Sequence, residues 1–246
     1  MRNTNHRYGS GFLSGKQQRE WLLDVPSVVV ALAIFCFCIH FISRYFLSDQ
    51  LYSRIFGLFS FTPVSFKADP LFFFHTVISY SFMHGSFEHT AINMAWLLVF
   101  GSYLVNRFGN FRFLIFLALT AAVSALSYFF LHQDSAASLV GASGAISGMM
   151  GAAARFGLLS AHFNYGSQSG RHSRSLLFIK QEPRSRTMFV YVGVWLIGNF
   201  VVGIFNSLFE DGSAKIAWEA RVGGLLSGFL LARFFDNSRR KEKIMV

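Results

Sequence analysis

Charge is what this sequence has least of. Of its 246 residues, 14% are Asp, Glu, Lys or Arg, against about 25% in an ordinary soluble domain. Hydrophobic residues make up 53% and aromatics 17%, with 31 Phe, so the composition suits a chain whose solvent is largely lipid. Cysteine is nearly absent. Cys36 and Cys38 are the two. Two residues apart on a helix, they point to different faces and cannot bridge to each other, and so few thiols say nothing about the redox compartment. The first apolar run is too long for a signal-peptide core and no A-x-A-like cleavage site follows it, so it is expected to stay as a first membrane span. No long internal repeat is present, which removes solenoids and inverted-repeat transporters. His75, His84 and His89 lack a regular ligand spacing and have no well-placed acidic partner, so neither a metal nor any other cofactor is expected.

The charge that is present is basic, with a net of +10. It sits in short stretches between apolar runs, a membrane topology signal rather than a nucleic-acid surface. Crossing the hydrocarbon core takes about 20 helical residues. Six predicted spans meet that length, over residues 26–46, 82–105, 111–131, 139–160, 188–209 and 216–235. They make a membrane domain over 26–236, between an N-terminal tail of residues 1–25 and a basic C-terminal tail of residues 237–246. With six spans, seventeen Lys and Arg fall on one side and four (Arg44, Arg54, Lys67 and Lys215) on the other. The positive-inside rule then places both termini in the cytoplasm. The fold class expected is an all-α, multi-pass bundle in the cell's inner (cytoplasmic) membrane. The long aromatic stretch between spans one and two is expected to lie in the membrane interface, and the basic, Gly/Ser-rich loop after span four to be flexible.

Polar groups inside spans are costly and are functional candidates by default. His89 and Asn93 are four apart and share a helix face. Together they offer an imidazole and an amide N–H, either to stabilise a developing oxyanion or to glue helices together. His84, five residues before His89, is expected about 140° further round the same helix, facing elsewhere. Gly141-Ala142-Ser143-Gly144 opens a segment rich in small residues, the pattern of the crowded centre of a bundle. Glycines around Ser143 allow backbone and substrate to approach its hydroxyl, although in such a span a serine also serves simply to pack. In the last span Gly224 and Gly228 form a close-packing face, with Arg221 one turn earlier. Glu88 and Glu219 are the nearest counter-charges by sequence. Polar groups clustered toward one membrane face, with no span broken at its middle, argue against a transporter or channel.

Taken together, the pattern H-x4-H-x3-N (His84, His89, Asn93), the G-x-S-G of Gly141–Gly144 and the small-residue run of the last span resemble the rhomboid family of intramembrane serine proteases, in its bacterial six-helix form. The resemblance covers roughly residues 82–235. It implies that Ser143 is the nucleophile, that His89 and Asn93 join the Ser143 N–H in binding the oxyanion, and that His84, Gly141 and Gly144 are structural near the site. It also implies partners that are transmembrane segments of other membrane proteins within the lipid bilayer. The departure is Arg221, which stands where the family carries its base histidine. A guanidinium has no acceptor and keeps its proton, while a serine hydroxyl is a weak nucleophile without an adjacent base. The resemblance with this departure implies a pseudoprotease, or an impaired serine endopeptidase. The alternative is an active protease in which Ser143 uses another base.

Overall fold

The computed structural model describes residues 25–156, 193, 197 and 217–236. Among them every regular element is helical, and the one β-bridge joins Phe61 to Leu139. Helix α1 (Ser27–Tyr45) starts behind Pro26. Three short helices follow, α2 (Asp49–Phe59), α3 (Pro63–Ala68) and α4 (Thr76–Ser79), the last running into a 3-10 turn, Tyr80–Phe82. The predicted second span falls on α5 (Phe87–Trp96), a π turn (Leu97–Gly101) and α6 (Ser102–Phe108). The predicted third falls on α7 (Asn110–Leu131), the predicted fourth on α8 (Ser143–Arg155), and the predicted sixth on α9 (Trp218–Phe235). The predicted fifth span lies outside the described residues except for Gly193 and Ile197, both helical. The two tails and the loop after Phe156 lie outside them as well.

Local chemistry sets the helix boundaries. Helices α1 and α7 have mean hydropathies of 2.1 and 2.2 and are long enough to cross a membrane. Gly109, at φ +81°, is the single residue between α6 and α7. A left-handed residue there ends one helix and releases the next, so spans two and three are neighbours. Ser86 caps α5, its Oγ accepting the His89 N–H at 3.1 Å. The second span is therefore helical from Phe87, and Met83–Ser86 precede the helix.

Helix α8 lies at the centre, with every residue from Gly144 to Arg155 buried. Its small residues allow this. A Cβ on Gly224 would collide with the carbonyl of Gly144, and one on Gly228 with that of Gly148. Without side chains at these points the two backbones touch, and lipid-immersed helices gain dispersion and packing in place of a hydrophobic driving force. Two apolar clusters flank the contact. One is ring-rich and includes Phe108, Phe113, Phe116 and Phe156 with Leu104. The other holds Phe61, Tyr80, Tyr128 and small residues such as Ala121, Ala145 and Ala220.

The segment between α1 and the second span folds as short helices laid beside the bundle. No residue of α2 is buried, and Leu71 is 91% exposed. Uncovered apolar side chains of this kind suit a lipid interface. Backbone pairing of Phe61 with Leu139 (2.8 and 3.1 Å), a Thr62–Ser138 hydroxyl bond and a Lys67–Asp134 ion pair, both 2.7 Å, tie it to the approach to α8.

Candidate active site

Ser143 is the first residue of α8, half-buried. The chain reaches it in an irregular conformation set by hydrogen bonds. Leu139 pairs with Phe61, and the Gly141 N–H donates to the Tyr80 carbonyl at 3.0 Å. Gly141 has φ +103°, a conformation that side chains other than glycine rarely adopt. The space its missing Cβ would fill is taken by the His89 ring, with Cε1 and Nε2 each 2.7 Å from that point. No side chain caps α8. The first N–H groups of a helix have no partner within it, and the helix dipole favours negative charge at that end. The start of α8 can therefore donate to an oxygen that gains charge beside Ser143.

His84 is where the sequence reading needs correcting. Read as a helical residue it would face away from His89. It precedes the helix instead, and its ring meets that of His89 at 5.3 Å between centroids, with planes 73° apart. Nε2 accepts the Ala142 N–H at 3.4 Å, and Nδ1 lies 3.3 Å from the Phe82 carbonyl. These partners assign the proton to Nδ1. The imidazole thus ties the start of the second span to the residue before Ser143. Asn93 is buried, and its Nδ2 donates to the His89 carbonyl at 2.8 Å, which leaves the second amide hydrogen for another acceptor.

Arg221 reaches this end of α8 through helix register. Gly224 meets Gly144 and Gly228 meets Gly148, so α8 and α9 run parallel and in step. One turn before Gly224, Arg221 falls level with Gly141. The carboxylates nearest in sequence are directed elsewhere. Glu219 pairs with His132 Nε2 at 3.0 Å, and Glu88 is exposed in the first turn of α5.

The pattern that defines the Rhomboid domain matches residues 73–237, about two thirds of the chain. This chain belongs to the rhomboid family. No curated protein matches it. As a rhomboid it is a membrane-embedded protein with an intramembrane-protease-like function, and the helical bundle expected from the composition is the fold of this family member. Two contributors to the candidate site carried no sequence signal. Tyr80 donates its hydroxyl to the Ala121 carbonyl at 3.0 Å, and Ser124 donates to the Ala220 carbonyl at 2.6 Å. Both side chains fill the notch at Gly144, and they connect to it from 64 and 20 residues away along the chain.

Proposed function

We propose that this rhomboid is a serine-protease homologue that engages transmembrane helices of other membrane proteins in the inner membrane, both of its termini in the cytoplasm, with proteolysis impaired at its base. Ser143 takes the nucleophile's position. The Ser143 N–H, His89 and Asn93 take the oxyanion role, and His84 with Gly141 and Gly144 shapes the turn before the serine. The observation that carries this reading is the α8–α9 register, which sets Arg221 level with the residues leading into Ser143. At that position a side chain must accept the serine proton and later donate it to the leaving amine. Guanidinium does neither, because it stays protonated. Its positive charge can attract an alkoxide but cannot generate one. Loss of a catalytic dyad or triad member costs on the order of 10⁴ to 10⁶ in rate.

The test is cleavage of a helix-destabilised transmembrane substrate in proteoliposomes. The protein as it stands is expected to give no Ser143-dependent product, and Arg221→His to give product that Ser143→Ala abolishes. Cleavage by the unaltered protein, lost in Ser143→Ala, would overturn the reading. It would favour the alternative, an active rhomboid serine endopeptidase with His89 as the base. The placement of the His89 ring against Gly141 is the observation on that side. In that case His89→Gln would abolish the cleavage as completely as Ser143→Ala.

A further inference from the structure

The end of the α8–α9 pair opposite Ser143 holds groups that proteolysis does not use. Arg155 closes α8. One turn earlier Gly151 is pressed against the α9 backbone at Leu225 and Phe229, so Arg155 is carried onto α9 too. Its Nη1 donates to the Phe229 carbonyl at 3.2 Å, and its guanidinium carbon lies 5.0 Å from the Phe229 ring centroid. The residue is 2% exposed, and its Nε–H has no hydrogen-bond partner. No carboxylate among the described residues pairs with it, because Asp236 is bonded to Arg107 at 3.0 Å. A second cation stands near. Arg233, exposed, follows Phe229 by four residues and so lies one turn on along the same face of α9, its guanidinium carbon 4.4 Å over the Phe234 ring.

A buried, permanently charged group with an idle N–H is costly unless an anion completes it. Two neighbouring guanidinium groups repel each other unless an anion lies between them. Their planar N–H forks match the oxygens of a phosphate. Depth selects where that phosphate comes from. Twelve residues of helix separate Ser143 from Arg155, about 18 Å at 1.5 Å per residue. With Ser143 toward the outer face, Arg155 falls near the headgroup level of the other leaflet, where basic pockets between spans take acidic lipid headgroups.

We propose that Arg155 and Arg233 form a binding site for one phosphate group, completing the counter-charge of Arg155. The phosphate belongs to an acidic phospholipid or to free phosphate, and the two sources are separable. The purified full-length protein in dodecylmaltoside is titrated with phosphatidylglycerol, phosphatidylcholine and inorganic phosphate at matched ionic strength. Binding is read by native mass spectrometry and by the thermal unfolding midpoint. Phosphatidylglycerol is expected to bind about tenfold or more tightly than phosphatidylcholine, equivalent to about 1.4 kcal/mol, and to raise the midpoint. Arg155→Gln and Arg233→Gln are each expected to lose that preference. If inorganic phosphate raises the midpoint of the unaltered protein alone and displaces the lipid, the site takes the free anion and the assignment of Arg155 and Arg233 holds. Equal binding of the two lipids with no effect of inorganic phosphate would overturn the proposal. So would an unchanged preference in Arg233→Gln, an exposed position whose variant tests the site even if Arg155→Gln does not fold.

Discussion

The two ends of α8 are built from different materials. At the Ser143 end, helices and loops are held by directed polar contacts: Gly141 to the Tyr80 carbonyl, Ala142 to His84, and the Tyr80 and Ser124 hydroxyls to carbonyls of α7 and α9. At the Arg155 end, a cluster of rings is added to two polar contacts, the Arg107–Asp236 ion pair and the Arg155 bond to the Phe229 carbonyl. Phe108 contacts Phe116, Phe156 and Phe235 with centroids 5.3, 5.7 and 5.8 Å apart, and Arg107 lies 3.9 Å over Phe156. Hydrogen bonds fix direction, whereas apolar packing fixes volume and tolerates rotation about its axis. A serine with donors set around it needs the first kind of support, because a displacement of about 1 Å can cost on the order of 100-fold in rate. The opposite end needs only to stay closed.

Substitutions that act on one end or on both can break this contrast. The largest effect is expected where α8 and α9 touch. Gly228→Leu drives a side chain into the Gly148 backbone, and unfolding at a lower denaturant concentration should report a loss above about 4 kcal/mol. Phe116→Ala removes a fully buried ring from the aromatic end and should cost about 3–5 kcal/mol. Measured in an Arg221→His background, it should leave the reactivity of Ser143 toward a fluorophosphonate within about threefold, because it lies outside the group of residues that act as a unit. Tyr80→Phe is the reverse case. Losing one bond to the Ala121 carbonyl should cost about 0.5–1.5 kcal/mol, and in the same background it should slow fluorophosphonate labelling more than Phe116→Ala does. If the slowing went the other way, the division of labour between the two ends would be refuted.

The parts of the architecture legible in the sequence were those that repeat locally. Small residues at three- and four-residue spacing marked α8 as the crowded centre, and every residue from Gly144 to Arg155 is buried. Gly224 and Gly228 were legible as a close-packing face by the same logic, and the structure supplies their partners, Gly144 and Gly148. His84 misled because spacing was converted to an angle on a helix that had not yet begun. Ser86, followed by Glu88, is a start signal for α5, and using it moves His84 into the preceding turn. The supports from Tyr80 and Ser124 were not legible. Each joins groups tens of residues apart, and no local pattern encodes which distant carbonyl a hydroxyl will meet. The His132 partner of Glu219 was not legible for a related reason. Proximity in sequence put Glu219 two residues from Arg221, but on a helix that is the far side, and there it meets His132.

The π turn at Leu97–Gly101 makes the second span unusually sensitive to length. A π turn accommodates one residue more than an α turn, so the first half of this segment, with His89 and Asn93, is rotated relative to the second half that packs through Leu104 and Phe108. Deleting any one residue of Leu97–Gly101 would leave a smoother helix, with every hydrogen bond in regular register. It would also swing the imidazole and the amide about 100° around the axis, away from Gly141. In this span an irregular backbone is what brings the polar face to the serine.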